Sequence, residues 1–393
     1  MTATLLADNL DSYVQDPLNP VKPILPHFAG QDQIPAHVPP ELVKSSGLMF
    51  SPEFLAGPHD FMAAMQQNFP PIFYDVTPFR NSWYLTKHED CLFVLRHADI
   101  FRNLEASPFP RDPEDYFFFI PQEVDPPQHR KYRNIEFTTA FGRPLPVSVF
   151  LDIMGLPQDM RDTFVGWADI LIHSRDEAEV GAAFGKAIAY LTGAIADKKA
   201  NPDNGVVSLI ANAEIDGRKL SDKEVFGFVC FLWIGGLDTV YATLNNIWLW
   251  LANNPDRVDE IIRRPDDIDA IVEELLRRYS VTFSTRVVMK DIEMRGVLIK
   301  KGDRVLTILP SANFDADVFP NPLEVDFDRP RKTILAFTVG VHSCMGGHLA
   351  RMELKIALQE WLKRIPRFAV KPGTQITYKP GGVVGPDAVP LVW

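Results

Sequence analysis

Three groups of residues in this chain have types and spacings that could do chemistry. The first centres on Cys344, set between Gly340 and Gly346 in 337-FTVGVHSCMGGHLARMEL-354. A thiol binds a metal or attacks carbon only as the thiolate, so its charge must be stabilised. Apolar residues at Leu349, Met352, Ile356, Trp361 and Leu362 predict a helix over 348–364, starting just past the cysteine. The free N–H groups and dipole at its start favour an anion there. Glycines on either side let the backbone close tightly around the sulfur. The chain's other cysteines, Cys91 and Cys230, form no CxxC pair with it, so zinc is poorly served. A heme iron, which takes one proximal thiolate, is the better match. An inert cysteine in a glycine turn is the plain alternative.

The second group is 235-GGLDTV-240, in the middle of an apolar run. Two glycines weaken a helix by about 1 kcal/mol each, and an acid beside a hydroxyl is costly there unless it is used. This is either a tolerated defect or a place where Asp238 and Thr239 handle protons. The third group is Glu274 and Arg277 in 271-IVEELLRR-278, three apart and so on one helix face. An exposed charge pair has the same spacing.

The elements that must position these groups are mostly helical. The apolar run 222–253 reads as one long helix, about 45 Å at 1.5 Å per residue. Its Asp238, Asn245 and Asn246 favour a buried core helix over a membrane span. Shorter helices are predicted over 175–200, 267–279 and 347–364. Ser51-Pro52-Glu53 looks like a capped start for a helix to about Gln67. Strands are predicted at 83–86 and, with a turn at Lys301-Gly302-Asp303, over 297–309. The fold class is mainly α with a small β region: one domain over 1–393, with a proline-rich arm over 1–45. At 393 residues and 46% hydrophobic, the chain can bury a large core. A formal charge of −11 argues against a nucleic-acid partner. No CxxC pair and no basic-then-apolar leader point to a soluble cytoplasmic protein, with monomer as the default.

The spacing Phe337-x-x-Gly340-x-His342-x-Cys344-x-Gly346 resembles the heme-binding loop of the cytochrome P450 family. The resemblance implies the P450 fold, with heme b held between the long central helix and the helix after the cysteine loop. Cys344 would be the axial ligand of the iron, with Phe337, Gly340 and Gly346 shaping the loop. His342, His129, Arg133 and Arg286 match positions that contact the heme propionates. Glu274 and Arg277 resemble the family's buried structural E-x-x-R pair. Gly235 and Gly236 would leave room for dioxygen, while Asp238 and Thr239 match the acid–threonine pair that delivers protons. The order of these motifs, with 363–393, is similar to the bacterial camphor-hydroxylase branch. That branch implies an NAD(P)H-dependent reductase, a [2Fe-2S] ferredoxin, O2 and a small apolar monoterpenoid substrate.

The chain departs from that branch in three places. Thr338 stands where the family usually has glycine, which would stiffen the loop. The segment 131-KYRNIEFTTAFGRPLP-146 runs straight through where relatives carry a further stretch, so residues are expected to be missing near 134–136. Phe117 aligns where the camphor branch has a tyrosine, with Tyr116 one residue earlier. A substrate without a ketone, such as a cyclic ether like cineole, therefore suits the pocket better. Phe231, Ile234, Gly235 and Val383 would supply its other walls. Two rival readings are a cysteine hydrolase using Cys344 with His342 or His348, and a heme sensor without catalysis.

Overall fold

The computed structural model describes residues 34–46, 48, 51–76, 81–102, 146–378, 380–386 and 389–392. His129, Arg133, Tyr116, Phe117 and the expected interruption near 134–136 lie outside the described residues, as does most of the proline-rich arm.

Where the description begins, the chain turns into an edge strand, β1 (Val43–Lys44). Ser51 then caps α1 (Pro52–Ala56), its hydroxyl accepting from the Phe54 N–H at 3.1 Å. The single helix expected to Gln67 is two: Gly57 ends α1, and Pro58 opens α2 (Pro58–Asn68). Strands β2 (Ile72–Asp75) and β3 (Ser82–Leu85), helix α3 (His88–Arg96) and strand β4 (Phe101–Arg102) complete this part.

The helical body follows, with α4 (Pro146–Met154), α5 (Arg161–His173), α6 (Glu177–Ala200) and α7 (Val206–Ala211). A short hairpin, β5 (Glu214–Ile215) and β6 (Arg218–Lys219), leads into α8 (Asp222–Leu237). Here a capping box fixes the helix start: Ser221 and Glu224 bond reciprocally, and Arg218 grips the Glu224 carboxylate at 2.6 and 2.8 Å. The long helix expected over 222–253 is interrupted at Asp238, beyond which α9 (Thr239–Asn253) continues. Helices α10 (Pro255–Arg263) and α11 (Ile268–Arg278) come next. Strands β7 (Ser284–Val288), β8 (Ile292–Met294), β9 (Val297–Ile299) and β10 (Arg304–Thr307) precede α12 (Leu309–Ala312) and α13 (Gly347–Arg364). The chain closes with β11 (Ala369–Val370) paired to β12 (Leu391–Val392).

Six strands form the main sheet in the order β1-β2-β3-β10-β7-β4. The strands expected over 297–309 form on either side of the expected turn, as β9 and β10, but they do not pair with each other. The turn at Gly302 exists, with φ +91°, but β9 pairs back with β8, and β10 inserts between β3 and β7. A pairing partner more than 200 residues away carries no local signal.

Among the described residues, the three largest core clusters tie the elements around the site together. Phe164, Leu191, Val207, Phe228 and Trp233 unite α5 to α8. Ile247, Leu251, Ile271, Leu275, Leu354 and Leu358 lock α9, α11 and α13 together. Trp83, Cys91, Val94 and Val305 seat α3 on the sheet. Each such fully buried side chain contributes about 1.5–3 kcal/mol. By length and composition, Asp222–Asn253 could cross a membrane. Within the fold, Phe228, Val229, Trp233, Ile247 and Leu251 are fully buried, so both halves serve as core.

Candidate active site

Short-range contacts build the cysteine loop. Gly340 has φ +80°, and a Cβ there would sit 2.6 Å from the Leu95 carbonyl oxygen at the end of α3. Only glycine lets the loop close onto α3. The Cys344 N–H donates to the Phe337 carbonyl at 2.9 Å, and the Gly347 N–H to the Cys344 carbonyl at 3.3 Å. Helix α13 begins at Gly347, three residues past the cysteine. The Arg351 guanidinium lies 4.6 Å over the Phe337 ring and pairs with Glu273 on α11. Together these contacts fix the loop between α3, α11 and α13.

Thr338 is a departure with a visible cost. Its φ is +54°, a left-handed conformation that disfavours a β-branched residue by about 1–2 kcal/mol. Its hydroxyl donates to the His342 carbonyl at 2.9 Å, which offsets part of that strain. His342 ends a short 3-10 turn from Gly340, and is half-buried.

Cys91 and Cys230 are buried, whereas Cys344 is exposed at the start of a helix. The Gly–Gly pair of the central helix has two separate uses. A Cβ on Gly236 would collide with the Phe150 ring of α4 at 2.6 Å, so that glycine admits a packing aromatic rather than making space for oxygen. A Cβ on Gly235 would meet nothing within 4 Å. At the α8–α9 break the Thr239 hydroxyl donates to the Gly235 carbonyl at 3.0 Å. Asp238 turns its carboxylate toward α5, with Oδ2 at 3.3 Å from His173 Nε2.

Arg286 is 2% exposed on β7, donating to Ser284 Oγ at 2.6 Å and the Thr285 carbonyl at 2.9 Å. Phe231 and Ile234 on α8 are half-buried against the first core cluster, and Met345, next to Cys344, packs on the same cluster. Val383 is buried with Ala242, Val281 and Ile172. These residues fit a heme by the chemistry of their donors. One accessible thiol lies at a helix start, a Cβ added at the adjacent Gly346 would meet only the cysteine sulfur, at 3.9 Å, and Gly235 opens onto space.

Glu274 and Arg277 form a buried pair, 5% and 1% exposed, with two hydrogen bonds of 2.8 Å. Arg277 also donates to the carbonyls of Asn313, Pro322 and Glu324. A third member was not foreseen: Arg329 reaches both Glu274 oxygens at 3.1 and 3.2 Å. His173 was also missed. Both partnerships join residues far apart in the chain, and neither lone side chain stands out within its own segment.

Comparison with known proteins bears on this arrangement. Residues 268–386 match the family model for cytochrome P450. A probable cytochrome P450 127A1 from Sinorhizobium fredii is 33% identical over 402 aligned positions, covering 92% of this chain and 97% of the relative. A steroid C26-monooxygenase from Mycobacterium tuberculosis is 31% identical over 268 positions, covering 66% of this chain and 72% of that protein. Among solved structures, cytochrome P450 CYP101C1 superposes with a TM-score of 0.79 at 27% identity, covering 92% of this chain and 100% of the other.

Proposed function

The chain belongs to the cytochrome P450 family, and we propose that it hydroxylates an unactivated C–H bond of a small apolar monoterpenoid with electrons from a ferredoxin. It is a monooxygenase whose cofactor is heme b. Cys344 would hold the heme, which would supply the redox chemistry that activates dioxygen. The overall reaction is R–H + O2 + 2e− + 2H+ → R–OH + H2O. Two protons must therefore be delivered to the site. The observation that carries the catalytic reading is the break in an apolar helix at Asp238–Thr239, beside the open face of Gly235. Asp238 holds and passes the protons, and the Thr239 hydroxyl orients the last donor. His342 and Arg286, with His129 and Arg133, are proposed to bind the heme carboxylates. Phe231, Ile234, Gly235 and Val383, with Tyr116 and Phe117, would exclude water and orient the C–H bond.

The terpenoid class rests on the resemblance to the camphor-hydroxylase branch, in line with the CYP101 neighbour, and on the apolar character of the proposed walls. The named steroid relative supports a second reading, a larger polycyclic substrate. Titrating the ferric protein with cineole, camphor and a steroid, and following the spin-state shift of the Soret band, separates the two. A full shift with a monoterpenoid alone supports the first reading, and a shift with the steroid alone overturns it. Asn246 is used inside the fold, where it donates to the carbonyls of Ala242 and Val384, which favours a core helix over a membrane span. The 402-position alignment is longer than the 92% of this 393-residue chain that it covers. That is in line with the expectation that residues are missing near 134–136.

A further inference from the structure

His173 is the last residue of α5, and its ring joins three elements. Nδ1 lies 2.6 Å from the Pro380 carbonyl oxygen in the C-terminal loop, and Nε2 lies 3.3 Å from Asp238 Oδ2 at the α8–α9 break. The side chains of His173 and Asp238 are only 9% and 13% exposed. Carbonyl and carboxylate oxygens only accept hydrogen bonds, whereas a neutral imidazole carries a single N–H. Acceptors against both nitrogens call for the ring with two N–H groups. Asp169, one turn earlier on α5, adds a second carboxylate, and a carboxylate oxygen of Asp169, a ring nitrogen of His173 and a carboxylate oxygen of Asp238 lie within 4.8 Å of one another. The loop cannot back away easily. Gly381 has φ +125°, and a Cβ there would lie 2.2 Å from the Ile172 carbonyl oxygen and 3.1 Å from His173 Nδ1.

We propose that His173 is a positioning residue for Asp238: as the doubly protonated ring it clamps the carboxylate to α5 and to the C-terminal loop, and loss of one ring proton releases one of the two. The clamp bears on the acid of the Asp–Thr pair, so its catalytic consequence rests on the monooxygenase reading above. Burial disfavours the imidazolium, but the hydrogen bond and charge of Asp238, the Pro380 carbonyl and Asp169 outweigh it, and the His173 pKa is raised. The sign follows from that direction. The clamp is fully present below the ordinary histidine value of about 6.5 and is lost as pH rises through the higher folded value.

The test is 15N-histidine NMR on the reduced, carbon-monoxide-bound holoenzyme across neutral pH, with H173Q used for assignment. Both His173 nitrogens should be protonated below a midpoint that lies above that of exposed histidines, and D238N should lower that midpoint. In parallel, product formed per NADH consumed is followed against pH. Wild type should lose coupling at the NMR midpoint, H173R should hold it flat through that range, and H173Q should be several-fold lower throughout. A midpoint at or below that of exposed histidines, or an H173R profile identical to wild type, overturns the proposal. A holoenzyme that forms no hydroxylated product with any substrate removes the monooxygenase reading instead, and the NMR result still decides the clamp.

Discussion

Single residues set the shape of the cysteine loop, and Thr338 is where it is strained. Its hydroxyl bond to the His342 carbonyl and its left-handed backbone act in opposite directions. Thr338→Val keeps the β-branch and loses the bond, so it should lower stability by about 1 kcal/mol. Thr338→Gly removes the strain as well and should be at least as stable as wild type. Denaturant midpoints of the three proteins check both. A Val variant as stable as wild type would mean that the hydroxyl offsets nothing. This loop was legible in the sequence because its backbone bonds are local, from Cys344 to Phe337, Ser343 to Gly340 and Gly347 to Cys344, whereas its seat on Leu95 of α3 was not. The His173–Asp238 pair spans 65 residues and left no pattern to read.

At the scale of elements, the buried Glu274–Arg277 pair of α11 was visible as an i, i+3 spacing, but its burial came only from the assembled fold. Glu274 accepts from Arg277, from Arg329 and from the Asp326 N–H at 2.9 Å, so it is a hub between α11 and the segment after α12. Arg329→Ala should destabilise by about 2–4 kcal/mol, because it leaves a buried carboxylate partly uncompensated. Thermal unfolding of the variant tests this, and a loss below 1 kcal/mol would make Arg329 peripheral. Helix α13 carries a different liability. Glu353 Oε2 is buried without a hydrogen-bond partner among the described residues, and burial pushes the carboxyl up to about 7. Its folded value lies above the unfolded one, so its contribution is present below about 4.5 and lost as pH rises through 7. Glu353→Gln should therefore match wild type in acid and gain on the order of 1–2 kcal/mol above pH 7, a figure discounted because the residue is only half-buried. Equal stability of the two proteins at both ends of that range would contradict it. The long central helix shows where sequence reading ran short. Apolar content foretold its span, but neither the break at Asp238 nor the Phe150 ring of α4 that fills the space beside Gly236 has a local signal.

At the scale of the whole molecule, the helical architecture and its chemistry were foreshadowed by three motifs in order, while sheet order and the ties between distant segments were not. The reason is physical. Caps, turns and helix faces are encoded within a few residues, whereas β10 must find both β3 and β7 before its hydrogen bonds exist. The account as a whole turns on Cys344 as the thiolate that holds a heme iron. The most direct measurement is the Soret band of the purified protein, reduced under carbon monoxide, beside that of Cys344→Ser. The account predicts the far-red-shifted band of a thiolate-bound heme in wild type and its loss in the variant. A histidine-type band in wild type, the same band in both proteins, or a colourless protein inactivated by thiol alkylation would contradict it.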